Sequence, residues 1–220
     1  MRALSLLEAR VLGVLVEKAH TVPDSYPLSL NSLTLGCNQK TARDPVMAVS
    51  EGDVQATIDS LKVLSLVFEA SGSRVTRYEH NLGRVLALPS QSVALLCVLM
   101  LRGSQTTSEL RANSERLHRF ADLSSVEGFL DELAARADGK GGSLAVKLPR
   151  AAGSREPRWA HLLCGEVDVS RFATAADDDD FVAASELAAM KARLGHVESE
   201  LEVLRALVER LYRELDLSRS

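Results

Sequence analysis

Apolar residues recur at three- and four-residue spacing from the start of the chain. Leu4, Leu7, Val11, Val14 and Leu15 form one stripe, the periodicity of a helix that buries one face. This first helix is expected to end near His20. Residues 21–27 carry Pro23 and Pro27, and a proline and the residue before it both resist helix. Ser29-Leu30-Asn31-Ser32-Leu33 opens a short second helix, with Leu30, Leu33 and Cys37 inward. Residues 38–49, with Pro45, read as a loop. Ser50 has the character of an N-cap, followed by Glu51 and Asp53 in a first turn where acids suit the helix dipole. Val54, Ile58, Leu61 and Leu64 line one face of this third helix. Residues 66–70 and 74–82 alternate as two strands around the turn Ser71-Gly72-Ser73. Three helices followed by a hairpin make a winged helix, a helix-turn-helix with a β-hairpin attached.

The pattern then recurs. Residues 93–101 form an apolar helix stopped by Gly103, and Thr107-Ser108-Glu109-Leu110-Arg111 begins a short second one. After a connector at 117–122, Ser124 or Ser125 is expected to cap a third helix carrying Val126, Phe129, Leu130 and Leu133. Residues 138–142 are a glycine-rich loop. Strands are expected at 144–148 and 158–163, joined by a basic turn. The last strands repeat residue by residue: Arg74, Arg77, Tyr78, His80 and Leu82 have the spacing of Arg155, Arg158, Trp159, His161 and Leu163. In the third helices, Val54, Ile58 and Leu61 have the spacing of Val126, Leu130 and Leu133. Self-similarity in a fixed order is the mark of a duplicated unit.

Past residue 165 the pattern changes. Asp177 to Asp180 is an acidic run, so residues 166–181 read as a solvated linker. Leu187, Met190, Leu194, Val197, Leu201, Leu204, Val208, Leu211 and Leu215 then alternate spacings of three and four, the seam of a heptad helix. Such a seam must be buried, either against a second copy, giving a homodimer, or against the chain's own domains. The expected fold is mainly α with small β-hairpins (α+β): winged-helix domains at 1–88 and 89–165, a linker at 166–181 and a heptad helix at 182–217.

Composition narrows the function classes. The chain has 220 residues, 46% of them hydrophobic and only 4% aromatic, so its cores are aliphatic. The longest apolar run is well short of the ~20 residues that span a bilayer. With no signal-peptide pattern at the start, a cytoplasmic location and no membrane partner are expected. Cys37, Cys97 and Cys164 are too far apart for a zinc motif or a disulfide framework and read as buried thiols. No metal or cofactor is expected. The net charge of −4 is uneven: 0 over 1–88, +2 over 89–165 and −6 over 166–220. The acidity belongs to the tail, so the domains remain open to a nucleic-acid partner.

The segments Leu7-Glu8-Ala9-Arg10-Val11-Leu12-Gly13, Tyr26-Pro27-Leu28-Ser29-Leu30-Asn31-Ser32-Leu33-Thr34, Cys37-Asn38-Gln39-Lys40-Thr41 and Asp44-Pro45-Val46-Met47 resemble the YceH family of bacterial proteins. So do Ser71-Gly72-Ser73-Arg74-Val75 and Ser114-Glu115-Arg116-Leu117-His118. The resemblance spans about residues 4–164 and implies two winged helices in tandem. It implies no activity, catalytic residue or ligand.

Candidate chemistry is therefore weighed from the residues. A winged helix reads duplex DNA with its third helix and touches phosphates with its wing. The first third helix offers Gln55 and Lys62 among Glu51, Asp53 and Asp59; the second offers Asp122, Glu127, Asp131 and Glu132. Acids suit phosphate poorly. The wings are better, with Arg74, Arg77 and Arg84 in the first and Lys147, Arg150, Arg155 and Arg158 in the second. Lys40 and Arg43 add a basic segment before the first third helix. These cations either meet phosphate or guard a solvated hairpin edge. Tyr78 and Trp159 could stack on bases, but their repeated position favours packing under each hairpin. No nucleophile–base set or phosphate loop assembles, so the protein is not expected to be an enzyme. The 114–118 connector reads as a loop with locally paired charges or an inter-domain contact. Two readings follow: double-stranded DNA bound through the wings and residues 38–43, or a protein partner docked on the acidic third helices.

Overall fold

The computed structural model describes residues 2–70, 75–150, 154 and 156–167. Helix α1 (Leu6–Thr21) starts at Ser5. The Ser5 hydroxyl accepts from the Glu8 amide, and the Glu8 carboxylate accepts from the Ser5 amide at 2.7 Å, a capping box. A short strand β1 (Leu28–Ser29) leads into α2 (Leu30–Cys37). A thirteen-residue connector then reaches α3 (Glu51–Val63), and strands β2 (Val67–Ala70) and β3 (Arg77–His80) follow. A one-turn helix α4 (Leu82–Val85) links to the second half. There the order returns: α5 (Ser90–Arg102), β4 (Gln105–Thr106), α6 (Thr107–Ser114), α7 (Leu123–Ala134), β5 (Ala145–Lys147) and β6 (Arg158–His161). The fold is α+β.

The duplication extends to the sheets. Each is antiparallel and three-stranded, ordered β1-β3-β2 and β4-β6-β5. Leu28 pairs with Tyr78 in the first and Gln105 with Trp159 in the second. The two-residue strands β1 and β4 are absent from the sequence reading, because two residues cannot display an alternation. Tyr78 (4% exposed) and Trp159 (1%) both pack beneath their sheets, as their repeated position indicated. Their burial removes them from any base-stacking surface.

The helix caps correct one expectation. Asp122, not Ser124 or Ser125, caps α7: its Oδ1 accepts from the Ser125 amide at 2.8 Å. Ser125 occupies the third helical position and completes the box.

Both halves share one continuous aliphatic core, joined along α1 and α5. Gly13 lies so close to α5 that an added Cβ would stand 2.9 Å from Leu101 Cδ2. The Cys97 thiol donates to the Gly13 carbonyl at 3.3 Å. Backbone bonds tie the halves twice more, from the Leu4 amide to the Leu163 carbonyl and from the Asp44 amide to the Leu101 carbonyl, both 2.8 Å. Cys37 and Cys97 are buried free thiols and Cys164 is a half-buried one. No helix among the described residues is long and apolar enough to cross a membrane. The heptad positions from Leu187 to Leu215, like Arg74 and Arg155, lie outside the described residues.

Candidate nucleic-acid interface

The cations singled out by sequence divide by what holds them. Arg43 is the clearest correction. Its side chain is fully buried, its Nη2 is 2.6 Å from Glu17, and its Nε donates to the Gly36 carbonyl at 3.1 Å. Arg10 is buried beside it and donates to the Cys37 and Pro45 carbonyls at 3.2 and 2.6 Å. The two guanidiniums hold the 38–49 connector against α1 from inside. Burial opposes ionisation of Glu17, but the Arg43 hydrogen bond and charge outweigh it and keep the carboxyl below its ordinary range. Arg43 is therefore a structural cation, not a phosphate contact.

Several other polar side chains of the first half are engaged locally. Lys62 is paired with Glu69. Gln55 accepts from the Tyr78 hydroxyl at 3.0 Å and donates to Asp59 at 3.1 Å, so both ends of its amide are engaged. Arg77 donates to the Pro27 carbonyl at 2.7 Å, bracing the loop before β1. Lys40 and Arg84 are exposed, and their side chains make no hydrogen bond or ion pair with another described residue.

In the second half, Arg158 is half-exposed, with Glu109 at 3.2 Å and the Ser104 carbonyl at 2.8 Å. The Lys147 ammonium lies 5.3 Å from the Trp159 ring centroid, a cation–π contact that leaves its outer side to solvent. Arg150 is exposed and unpaired among the described residues.

Three arginines missing from the sequence assignment stand at the corner between α6 and α7. Arg111 projects from α6 and donates to the Ala121 carbonyl at 3.0 Å. Arg116 and Arg119 lie in the connector, exposed and without a described partner. The expected local charge pairing of this connector is not made among the described residues. Glu115 forms no ion pair, Ser114 is buried with its hydroxyl on the Arg111 carbonyl, and His118 packs edge-on against Phe120 at 4.7 Å. Three arginines within nine residues, just before a helix cap, are the signal in the sequence that marks this corner.

The outer faces of α3 and α7 are acidic, as their sequences indicated. Glu51, Asp53 and Asp59 are exposed on α3, and Glu127, Asp131 and Glu132 on α7. Neither helix presents an unengaged long donor to a base edge, since Gln55 and Lys62 are both occupied.

A family model described as a protein of unknown function, DUF480, matches residues 4–154. Among curated relatives, a UPF0502 protein of Burkholderia ambifaria is 60% identical over 219 residues, covering 99% of this chain and 91% of the relative. One of Burkholderia multivorans is 61% identical over 218 residues, and one of Paraburkholderia phytofirmans 60% over 217, with the same coverage. Across nearly the whole of both chains, such identity leaves no room for a different fold or a partial match: the chain belongs to the DUF480/UPF0502 family of bacterial proteins of unknown function.

Proposed function

We propose that the protein is a tandem winged-helix protein that binds duplex DNA chiefly through its phosphate backbone. The observation that supports this reading is the distribution of exposed cations without an acidic partner among the described residues of the second half. Arg116 and Arg119 precede its third helix, while Lys147 ends β5 and Arg150 lies just past that strand. Those are the elements by which a winged helix touches phosphate. The acidic outer faces of α3 and α7 argue against base reading in the major groove. Binding on this reading is salt-sensitive and weakly selective for sequence, and no catalytic step enters it. The 182–217 heptad segment serves as the dimerisation element in the same proposal. Sedimentation of the full chain and of residues 1–167 tests that part, and an unchanged monomer in both removes it.

Polarisation of a labelled mixed-sequence duplex at low salt tests the DNA reading. Saturable binding, lost on reversing Arg116, Arg119, Lys147 and Arg150 together, is expected. No binding at micromolar protein overturns it. A second reading, a docked protein partner, draws on Val63. It is 85% exposed at the end of α3, one turn after the acid Asp59. Capture of one specific protein, resistant to nuclease, by wild type but not by Val63→Asp would favour that reading.

A further inference from the structure

The two repeats are alike in backbone and unlike in what their cations do. In the first, Arg43, Lys62 and Arg77 are each held by a carboxylate or by carbonyls of the same half. In the second, the corner between α6 and α7 keeps its arginines outward. A surface depression lies there, lined by Arg111 and Arg119 with Ser108, Glu115, Phe120 and Leu123. Its two guanidiniums are not equivalent. Arg111 uses one N–H on the Ala121 carbonyl, which fixes its reach across the connector. A guanidinium carries five N–H donors, so most of Arg111 and all of Arg119 remain available to an anion.

The acids around this depression are mostly engaged. Asp122 is turned into the α7 cap, and the Ser125 amide and hydroxyl hold its carboxyl below the usual range. Glu156 accepts from the Ser108 hydroxyl at 3.0 Å, and Glu109 faces Arg158. Glu115 alone is unpaired, against Arg111, Arg116 and Arg119. Phe120 is buried and Leu123 is 42% exposed, so part of the lining is apolar. An anion bonded by two arginines beside an apolar wall, on an open surface, has the character of a phosphodiester flanked by its sugars. Arginine is suited to it because its planar fork can meet two phosphate oxygens at once.

Among the described residues, the first repeat has no counterpart at the corner between α2 and α3. Aligning the caps Ser29 and Thr106 places Thr34 where the second repeat has Arg111. Thr34 is 8% exposed, and its hydroxyl donates to the Leu30 carbonyl. The first connector is thirteen residues long instead of eight and turns its arginine inward to Glu17. We infer that the second repeat alone seats the nucleic-acid backbone, in the Arg111–Arg119 depression, and that the first repeat is its rigid support. This inference rests on the DNA-binding reading and assigns that contact to one half.

The experiment compares two full-length double variants with wild type. One is Arg111→Gln with Arg119→Gln; the other is Lys40→Gln with Arg84→Gln, the two cations whose side chains are unengaged among the described residues of the first half. Each is titrated into a labelled mixed-sequence duplex between about 50 and 200 mM salt, a range over which phosphate contacts dominate the change in affinity. The first variant should bind at least about ten-fold more weakly at the low-salt end, and the slope of log K against log salt should fall by about 1.8, the worth of two phosphate contacts. The second should stay within about two-fold of wild type with an unchanged slope. Thermal midpoints of both should match wild type, because neither removes a buried group. Wild-type affinity and slope in the Arg111/Arg119 variant would overturn the seat while leaving DNA binding standing. Equal losses in both variants would overturn the restriction to one repeat. Absence of wild-type binding would overturn both the seat and the reading beneath it.

Discussion

Arg43 and Lys40 are three residues apart, and sequence treats them as one basic segment. The structure separates them completely, because Glu17 on α1 lies within reach of one and not of the other. A long-range partner of this kind has no local signature, so burial of a charged side chain is the least legible property of the chain. The paired histidines are the opposite case. His80 and His161 hold the same position in the two repeats, and burial pushes both down to about 4. In each, the buried Nδ1 has no partner, so a proton there gains no hydrogen bond from the fold. Both are therefore neutral in the folded protein at neutral pH, while in the unfolded chain they titrate near 6.5. Their effect on stability is nil above that value, because neither state binds the proton. As pH falls from about 6.5 toward 4, only the unfolded state takes up protons, and each histidine removes up to about 1.4 kcal/mol per pH unit. Glu8 acts lower down. The Arg2 hydrogen bond, helped by Ser5 and Ser60, holds it at about 2. Its stabilisation is complete above its unfolded value near 4.5 and is lost as pH falls toward 2. Urea midpoints should thus begin to fall near pH 6.5, well before the carboxylates titrate. His80→Asn with His161→Asn should flatten the curve between pH 6.5 and 4 and leave the steep loss below it. An unchanged curve in that variant would show that the histidines are not buried as neutral bases.

At the level of the element, periodicity finds what is long and amphipathic and misses what is short. The six principal helices were all legible in their stripes, and so were the two hairpins. Strands β1 and β4 are two residues each, and α4 is one turn, below the length at which a period shows. Caps are intermediate, because several polar residues in a row all qualify and only geometry selects one. Ser50 was legible because Glu51 and Asp53 follow it immediately. At α7, Asp122, Ser124 and Ser125 compete, and the extended backbone of Asp122 with its bond to the Ser125 amide decides. Asp122→Ala should therefore cost about 1 kcal/mol, within the range of about 0.5–2 for losing a cap. Ser124→Ala, at an exposed position with no described hydrogen bond, should fall within about 0.5 kcal/mol of wild type. Denaturant midpoints at a common m-value measure both. Equal costs at the two positions would mean that the helix starts two residues later than described. The same selection bears on the interface, because the cap fixes where the connector ends and so where Arg119 stands relative to α7.

Across the whole molecule, the repeat invites division into halves, and the core resists it. The apolar stripe of α1 is wider than packing within one repeat needs: Val11, Leu12, Val14, Leu15 and Val16 are all fully buried, and Gly13 between them meets α5. A helix buried so far round its circumference needs partners on two sides. In sequence this showed only as a run of apolar residues, because nothing local indicates that the second partner lies some ninety residues away. Gly103 repeats the theme. It ends α5 at φ +72°, a conformation that favours glycine, and an added Cβ would stand 3.0 Å from Asp44 Oδ2 in the connector of the first half. If the halves share one core, they should unfold as one. The chain has a single tryptophan, Trp159, and it lies under the second sheet. Its fluorescence therefore reports the second half alone, while far-ultraviolet circular dichroism reports both. Leu33→Ala removes a fully buried side chain of the first half and should cost about 2–5 kcal/mol. With one cooperative unit, that cost appears undiminished in the Trp159 transition, and the two signals keep a common midpoint. A Trp159 midpoint that ignores Leu33→Ala would make the halves independent domains. A rigid first repeat could then no longer be held to support a binding second one.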